Sequence, residues 1–136
     1  MFDLIHQRNN DFLAATRQVI AAMKTTPGND EITWGEISRQ AALRPAPAYY
    51  VTYEYALRVI RVLRHGRMGL RRDRRREMFE EINRKVTAVQ NATGTSLPSA
   101  LDYVLKNCPA SQFFISPATA VRLTQKILKK YKTVKK

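Results

Sequence analysis

Nine arginines fall within the nineteen residues from 58 to 76: Arg58, Arg61, Arg64, Arg67, Arg71, Arg72, Arg74, Arg75 and Arg76, with Asp73 the one acid among them. None of the nine is Lys. A guanidinium is planar, always charged and carries paired N–H donors, which suits bidentate contact with phosphate oxygens or with guanine. Helical spacing puts Arg58, Arg61 and His65 on one face, opposite an apolar stripe. Arg71 to Arg76 fall at the expected start of the following helix, where each cation opposes the positive end of the helix dipole at a cost of about 0.3 kcal/mol or more. A helix shaped for stability alone would carry acids there. The plainer reading is a solvated face with partial pairing, such as Arg76 with Glu80 at i,i+4.

A second basic stretch closes the chain: Arg122, Lys126, Lys129, Lys130, Lys132, Lys135 and Lys136. The formal charge of +13 is split unevenly. Residues 1–57 hold five Lys/Arg against six Asp/Glu, and residues 58–136 hold nineteen against five. A charge serving solubility alone has no reason to be divided so. The second part of the chain is therefore expected to offer a positive face to a polyanion.

Other chemistry finds little footing. His6 and His65 belong to different elements, and Cys108 abuts Pro109 with no assigned base. Glu80 and Glu81 are expected to face outward and pair with basic neighbours. The five glycines are scattered, so no phosphate-cradling loop forms. One cysteine permits neither an internal disulfide nor a zinc cluster. The reading is a non-enzymatic protein with no cofactor and no metal. Polar residues interrupt the N-terminal apolar runs, and no stretch approaches the length needed to span a bilayer. A cytoplasmic location without membrane contact is the expectation.

The elements that would hold these cations are helices. Apolar residues at Ile5, Phe12, Leu13, Val19, Ile20 and Met23 predict a helix from Asp3 to about Lys24, ended by turn formers at 25–30. Thr33 and Glu36 fit a capping box for a short helix to about Leu43, with Trp34 anchoring its start. Pro45 and Pro47 stop it. An extended segment leads to Thr52, which caps a helix from Tyr53 to His65, and Gly66 suits its C-terminal stop. A long helix is expected from about Leu70 to Asn91, a short one opened by Ser96 with Pro98 behind it and broken at Cys108-Pro109, and a last one started by Ser116-Pro117 and running to about Tyr131.

The chain also repeats. Pro45-Ala46-Pro47-Ala48-Tyr49-Tyr50-Val51-Thr52 returns as Pro109-Ala110-Ser111-Gln112-Phe113-Phe114-Ile115-Ser116, and the match runs on through Arg58 and Arg122. Over fifteen positions four residues are identical and six keep their chemistry. A shift of sixty-six places the first long helix on the second, with Thr16 on Ile82 and Ile20 on Val86. The expected fold is all-α: a compact six-helix domain over 1–136 made of two tandem pseudo-repeats, about 1–66 and 67–131, with a basic tail at 132–136. Short strand-like pairing of the two linkers is compatible with it. Tyr49/Tyr50 and Phe113/Phe114 are read as linker packing, with one ring of each pair exposed.

These features point to nucleic-acid binding, DNA before RNA, through phosphate contacts from the nine arginines together with Arg122, Lys126, Lys129 and Lys130. The alternatives are a protein-interaction module whose basic face docks an acidic partner, or an RNA binder. A homodimer is compatible with any of them. The connection between the short helix and the next spans about eight residues with two prolines, which departs from the tight turn of a helix-turn-helix.

Overall fold

The computed structural model describes the backbone of residues 2–24, 33–66 and 74–134, and the side chains of residues 4–23, 33–66 and 74–126. Over these residues the protein is all-α, with six helices and no sheet: α1 (Phe2–Lys24), α2 (Trp34–Ala42), α3 (Tyr53–Arg64), α4 (Arg74–Thr93), α5 (Leu97–Asn107) and α6 (Pro117–Val134). The turn expected at 25–30, the helix start expected at Leu70 and the last two lysines lie outside the described residues.

Local rules set most helix ends. Thr33, Thr52, Ser96 and Ser116 each stand extended or just before a helix, and each hydroxyl accepts an amide three residues on: Glu36, Tyr55, Ser99 and Thr119, at 3.2 to 3.4 Å. One of the four free amides at each helix start is thereby satisfied. The return leg of the box at Thr33 does not form. The Glu36 carboxylate instead accepts from Arg39 at 2.6 Å and Gln40 at 2.9 Å. Trp34 is no anchor either, for it is 41% exposed. Gly66 ends α3 in the left-handed region at φ 69, its amide donating to the Leu63 carbonyl.

Each linker holds an aromatic pair in the same geometry. Tyr49 and Phe113 are buried, whereas Tyr50 and Phe114 are half-buried and sit at φ 58 and φ 55. A bulky residue in the left-handed region costs on the order of 1 kcal/mol, so the buried neighbour must hold the chain there. Ala46 and Ala110, each at a β-bridge position in its own linker, are buried as well.

The chain forms two compact units, and they do not follow the sequence halves. One is the continuous stretch Pro47–Ala110, holding α3, α4 and α5. The other joins Phe2–Ala46 to Ser111–Lys136, holding α1, α2 and α6. In the first unit α4 packs on α5, and α3 packs on both. Its core is Ile60, Phe79, Ile82, Val86, Leu101 and Val104, all completely buried. In the second, α2 lies against α1 and α6 around Phe12, Val19 and Ala41, and Phe113 meets Phe12 edge-on at 5.5 Å between centroids. Within its own unit α3 packs on the two helices that follow it in sequence.

Candidate nucleic-acid interface

In the Pro47–Ala110 unit the cations come from α3 and the first turn of α4. The apolar stripe of α3 (Ala56, Val59, Ile60) turns inward and leaves Arg58, Arg61 and Arg64 exposed. Met78, Phe79 and Ile82 fix the roll of α4, which leaves Arg75 exposed and Arg74 and Arg76 half-buried. Arg67, Arg71 and Arg72 lie outside the described residues. In the other unit Arg122 and Lys126 are exposed on α6. Lys129 and Lys130 belong to α6, but their side chains lie outside the described residues.

The arginines are not equivalent. Arg64 reaches across to α4, donating from Nε to Asn83 at 2.8 Å and from one terminal nitrogen to Thr87 at 3.1 Å and Gln90 at 2.8 Å. That guanidinium fastens α3 to α4. Arg76 lies 3.5 Å from Glu80, the i,i+4 pair expected from the sequence. Arg58, Arg61, Arg74 and Arg75 make no ion pair with a described residue, although Glu54 stands one turn before Arg58. The carboxylates that do pair hold other partners: Glu36 with Arg39, Glu80 with Arg76, Glu81 with Lys85 and Asp102 with Lys106.

Two of these cations stand near the ring of Tyr55. The Arg58 guanidinium stands 5.4 Å and the Arg75 guanidinium 4.8 Å from the centre of its ring, and the ring meets the fully buried Phe79 in an edge arrangement at 5.9 Å. Cations within about 6 Å of an aromatic face are held by the ring quadrupole, more firmly when partly desolvated. The sequence had offered half of this arrangement, since Tyr55 and Arg58 are three apart on one helix. Nothing local linked either to Arg75.

Glu81 is a correction. Expected to face outward, it is only 8% exposed and accepts the Tyr49 hydroxyl at 2.8 Å, with the Lys85 ammonium 3.8 Å away. Lys85 also lies 5.1 Å from the centre of the Tyr49 ring and donates to the Pro109 carbonyl. Burial, and then the hydrogen bond to Glu81, push the Tyr49 hydroxyl well above its usual value. This buried knot fixes the linker onto α4. Phe113 at the matching place had hidden any role for the hydroxyl.

What the surface can do chemically is present charge. Among the described residues, no group of three or more His, Cys, Asp or Glu is placed to hold a metal, and no helix is long and apolar enough to cross a membrane. No protein-family model, curated protein or solved structure matches the chain.

Proposed function

We propose that the protein binds nucleic acid, duplex DNA before RNA, without catalysing a reaction on it, and that phosphate contacts supply the affinity. The reading rests on one observation above the others: Arg58, Arg61, Arg74 and Arg75 are left without carboxylate partners among the described residues, while Glu80 pairs with Arg76 and Glu81 with Lys85. Charges serving only stability would gain by pairing, and unpaired guanidiniums suit a ligand that brings its own negative charge. Arg122 and Lys126, both exposed on α6, add a second basic face in the other unit, and Lys129 and Lys130 follow them in the sequence.

Within the same reading, the two halves are pseudo-repeats. A constant separation of sixty-four supports this, joining Ala46 to Ala110, Tyr49 to Phe113, left-handed Tyr50 to left-handed Phe114, and cap Thr52 to cap Ser116. Arg58 and Arg122, both exposed, fall at one structural point of the repeat.

The test is a fluorescence-anisotropy titration with duplex DNA, single-stranded DNA and structured RNA at several salt concentrations. Duplex should bind, with log affinity falling by about 0.9 per neutralised phosphate for each unit of log salt. The charge-reversed variant of Arg71, Arg72, Arg74 and Arg75 should lose most of that affinity and show a shallower slope. Tighter binding to RNA moves the ligand to RNA. No retention of any nucleic acid at low salt sinks the proposal and turns attention to an acidic protein partner.

A further inference from the structure

We infer that Tyr55 is the positioning residue of a phosphate clamp confined to the Pro47–Ala110 unit, and that this clamp grips the phosphodiester backbone without reading the bases. The inference deepens the nucleic-acid reading above and depends on it. Arg58 and Arg75 come from different helices, yet both guanidiniums stand within 5.4 Å of one ring centre, so they lie at most about 10 Å apart. Two like charges so placed repel unless something holds them. The ring does so, and Phe79, fixed in the core by complete burial, holds the ring. A long flexible side chain ordinarily loses rotamer freedom when it binds, and cations already seated on a ring lose less. On each strand of a duplex one charge recurs every 3.4 Å or so of helix axis, so forks about 10 Å apart or closer can engage phosphates along one strand.

Base recognition by stacking needs an open aromatic face. The Tyr55 ring is half-buried, meets Phe79 edge-on and carries two guanidiniums, so it is committed to the cations. Tyr49 in the adjoining linker offers no substitute, being buried and bound to Glu81. Among the described residues the second unit has no ring at the matching place. The position sixty-four beyond Tyr55 is Thr119, whose amide and hydroxyl are engaged with Ser116 in capping α6. Arg122 therefore has exposure without a ring at the corresponding place.

The experiment uses the full chain and two 20-base-pair duplexes, one all A·T and one all G·C, with single-stranded homopolymers alongside. Tyr55→Phe keeps the ring and should bind within about twofold of the unmodified protein. Tyr55→Leu should weaken duplex binding by roughly five- to tenfold, because two long side chains must then be ordered when the ligand binds. Arg58→Gln and Arg75→Gln should each weaken binding more than Arg122→Gln does, and they change surface residues that leave the core intact. The two duplexes should bind within about threefold of each other, and no homopolymer should exceed them.

If the unmodified protein binds no nucleic acid, the functional reading itself fails. If it binds and Tyr55→Leu melts normally and binds equally, the clamp is overturned. Should Tyr55→Leu unfold, the arginine variants decide: losses no greater than that of Arg122→Gln also overturn it. A preference above tenfold for one duplex, or for a homopolymer, overturns the base-blind reading.

Discussion

Tyr49→Phe removes one oxygen and leaves the ring, so it isolates the bond to Glu81. Phe113 fills the corresponding place in the other linker with 4% exposure, and Tyr49 has the same 4%. A phenyl ring therefore fits such a site, and neither a cavity nor a clash should enter the measured change. What is lost is a hydrogen bond at 2.8 Å from a buried hydroxyl to a buried carboxylate. Bonds to charged groups contribute about 1.5–3 kcal/mol, so the variant should be less stable by roughly 2 kcal/mol. With an m-value of about 2 kcal/mol/M in urea, the midpoint should fall by about 1 M. A double-mutant cycle with Glu81→Gln gives the coupling directly, and it should exceed about 1 kcal/mol. The same bond has a pH signature. Because the Tyr49 hydroxyl titrates above its usual value in the fold, its stabilisation is complete below about pH 10 and is lost as pH rises beyond that, when the unfolded chain ionises first. The unmodified protein should therefore lose its advantage over Tyr49→Phe at alkaline pH. A Phe variant as stable as the parent at pH 7, with coupling near zero, would refute the reasoning.

Three further outcomes are expected. Thr124 is completely buried on α6 and its hydroxyl finds no partner among the described residues, so Thr124→Val should stabilise by about 1 kcal/mol and raise the melting temperature by roughly 3–6 °C by calorimetry; a lower melting temperature counts against it. The Pro47–Ala110 unit is continuous and encloses its own core, so the excised 47–110 fragment should show helical circular dichroism and a cooperative melt, and a fragment without either would show that it relies on the rest of the chain. The hydrogen bond from Arg39, with a second from Gln40, holds the Glu36 carboxyl down at about 2, so carbon-13 titration should find it still ionised at pH 3, and Arg39→Ala should return it towards 4.5. The stabilisation from Glu36 is then present above about pH 4.5 and fades as pH falls towards 2.

What a reader of the sequence could see was governed by neighbours in the chain. Hydroxyls at Thr33, Thr52, Ser96 and Ser116, prolines at 98 and 117 and glycine at 66 act within four residues, and the helices begin and end by them. The inward stripes of α3 and α4 were legible for the same reason. Periodicity tells which face of a helix is apolar, but not which helix covers it, so the grouping of α3 with α4 and α5 left no local trace. Glu81 was misread because its partner, Tyr49, is thirty-two residues away. Arg64 illustrates the converse: Asn83, Thr87 and Gln90 form a polar stripe at helical spacing along α4, a seat for a donor that only the packing of α3 identifies.

The proposed repeat makes the differences between the two units informative. Unit Phe2–Ala46 with Ser111–Lys136 buries three hydroxyls, at Thr16, Ser38 and Thr124, each on a different helix. Aligned by their helix caps or by the repeat, the matching positions in the other unit are Ile82, Leu101 and Ile60, all completely buried aliphatics. Replacing a buried aliphatic side chain by a short hydroxyl one forfeits about 1–3 kcal/mol of transfer free energy at each such position. The aliphatic side chains belong to the unit that carries Arg58, Arg61, Arg74, Arg75 and the Tyr55 ring. Crowding unpaired cations on a surface costs stability through their mutual repulsion. Burial of Ile60, Ile82 and Leu101 offsets part of that repulsion in the unit where Arg58, Arg61, Arg74 and Arg75 have no carboxylate partner among the described residues.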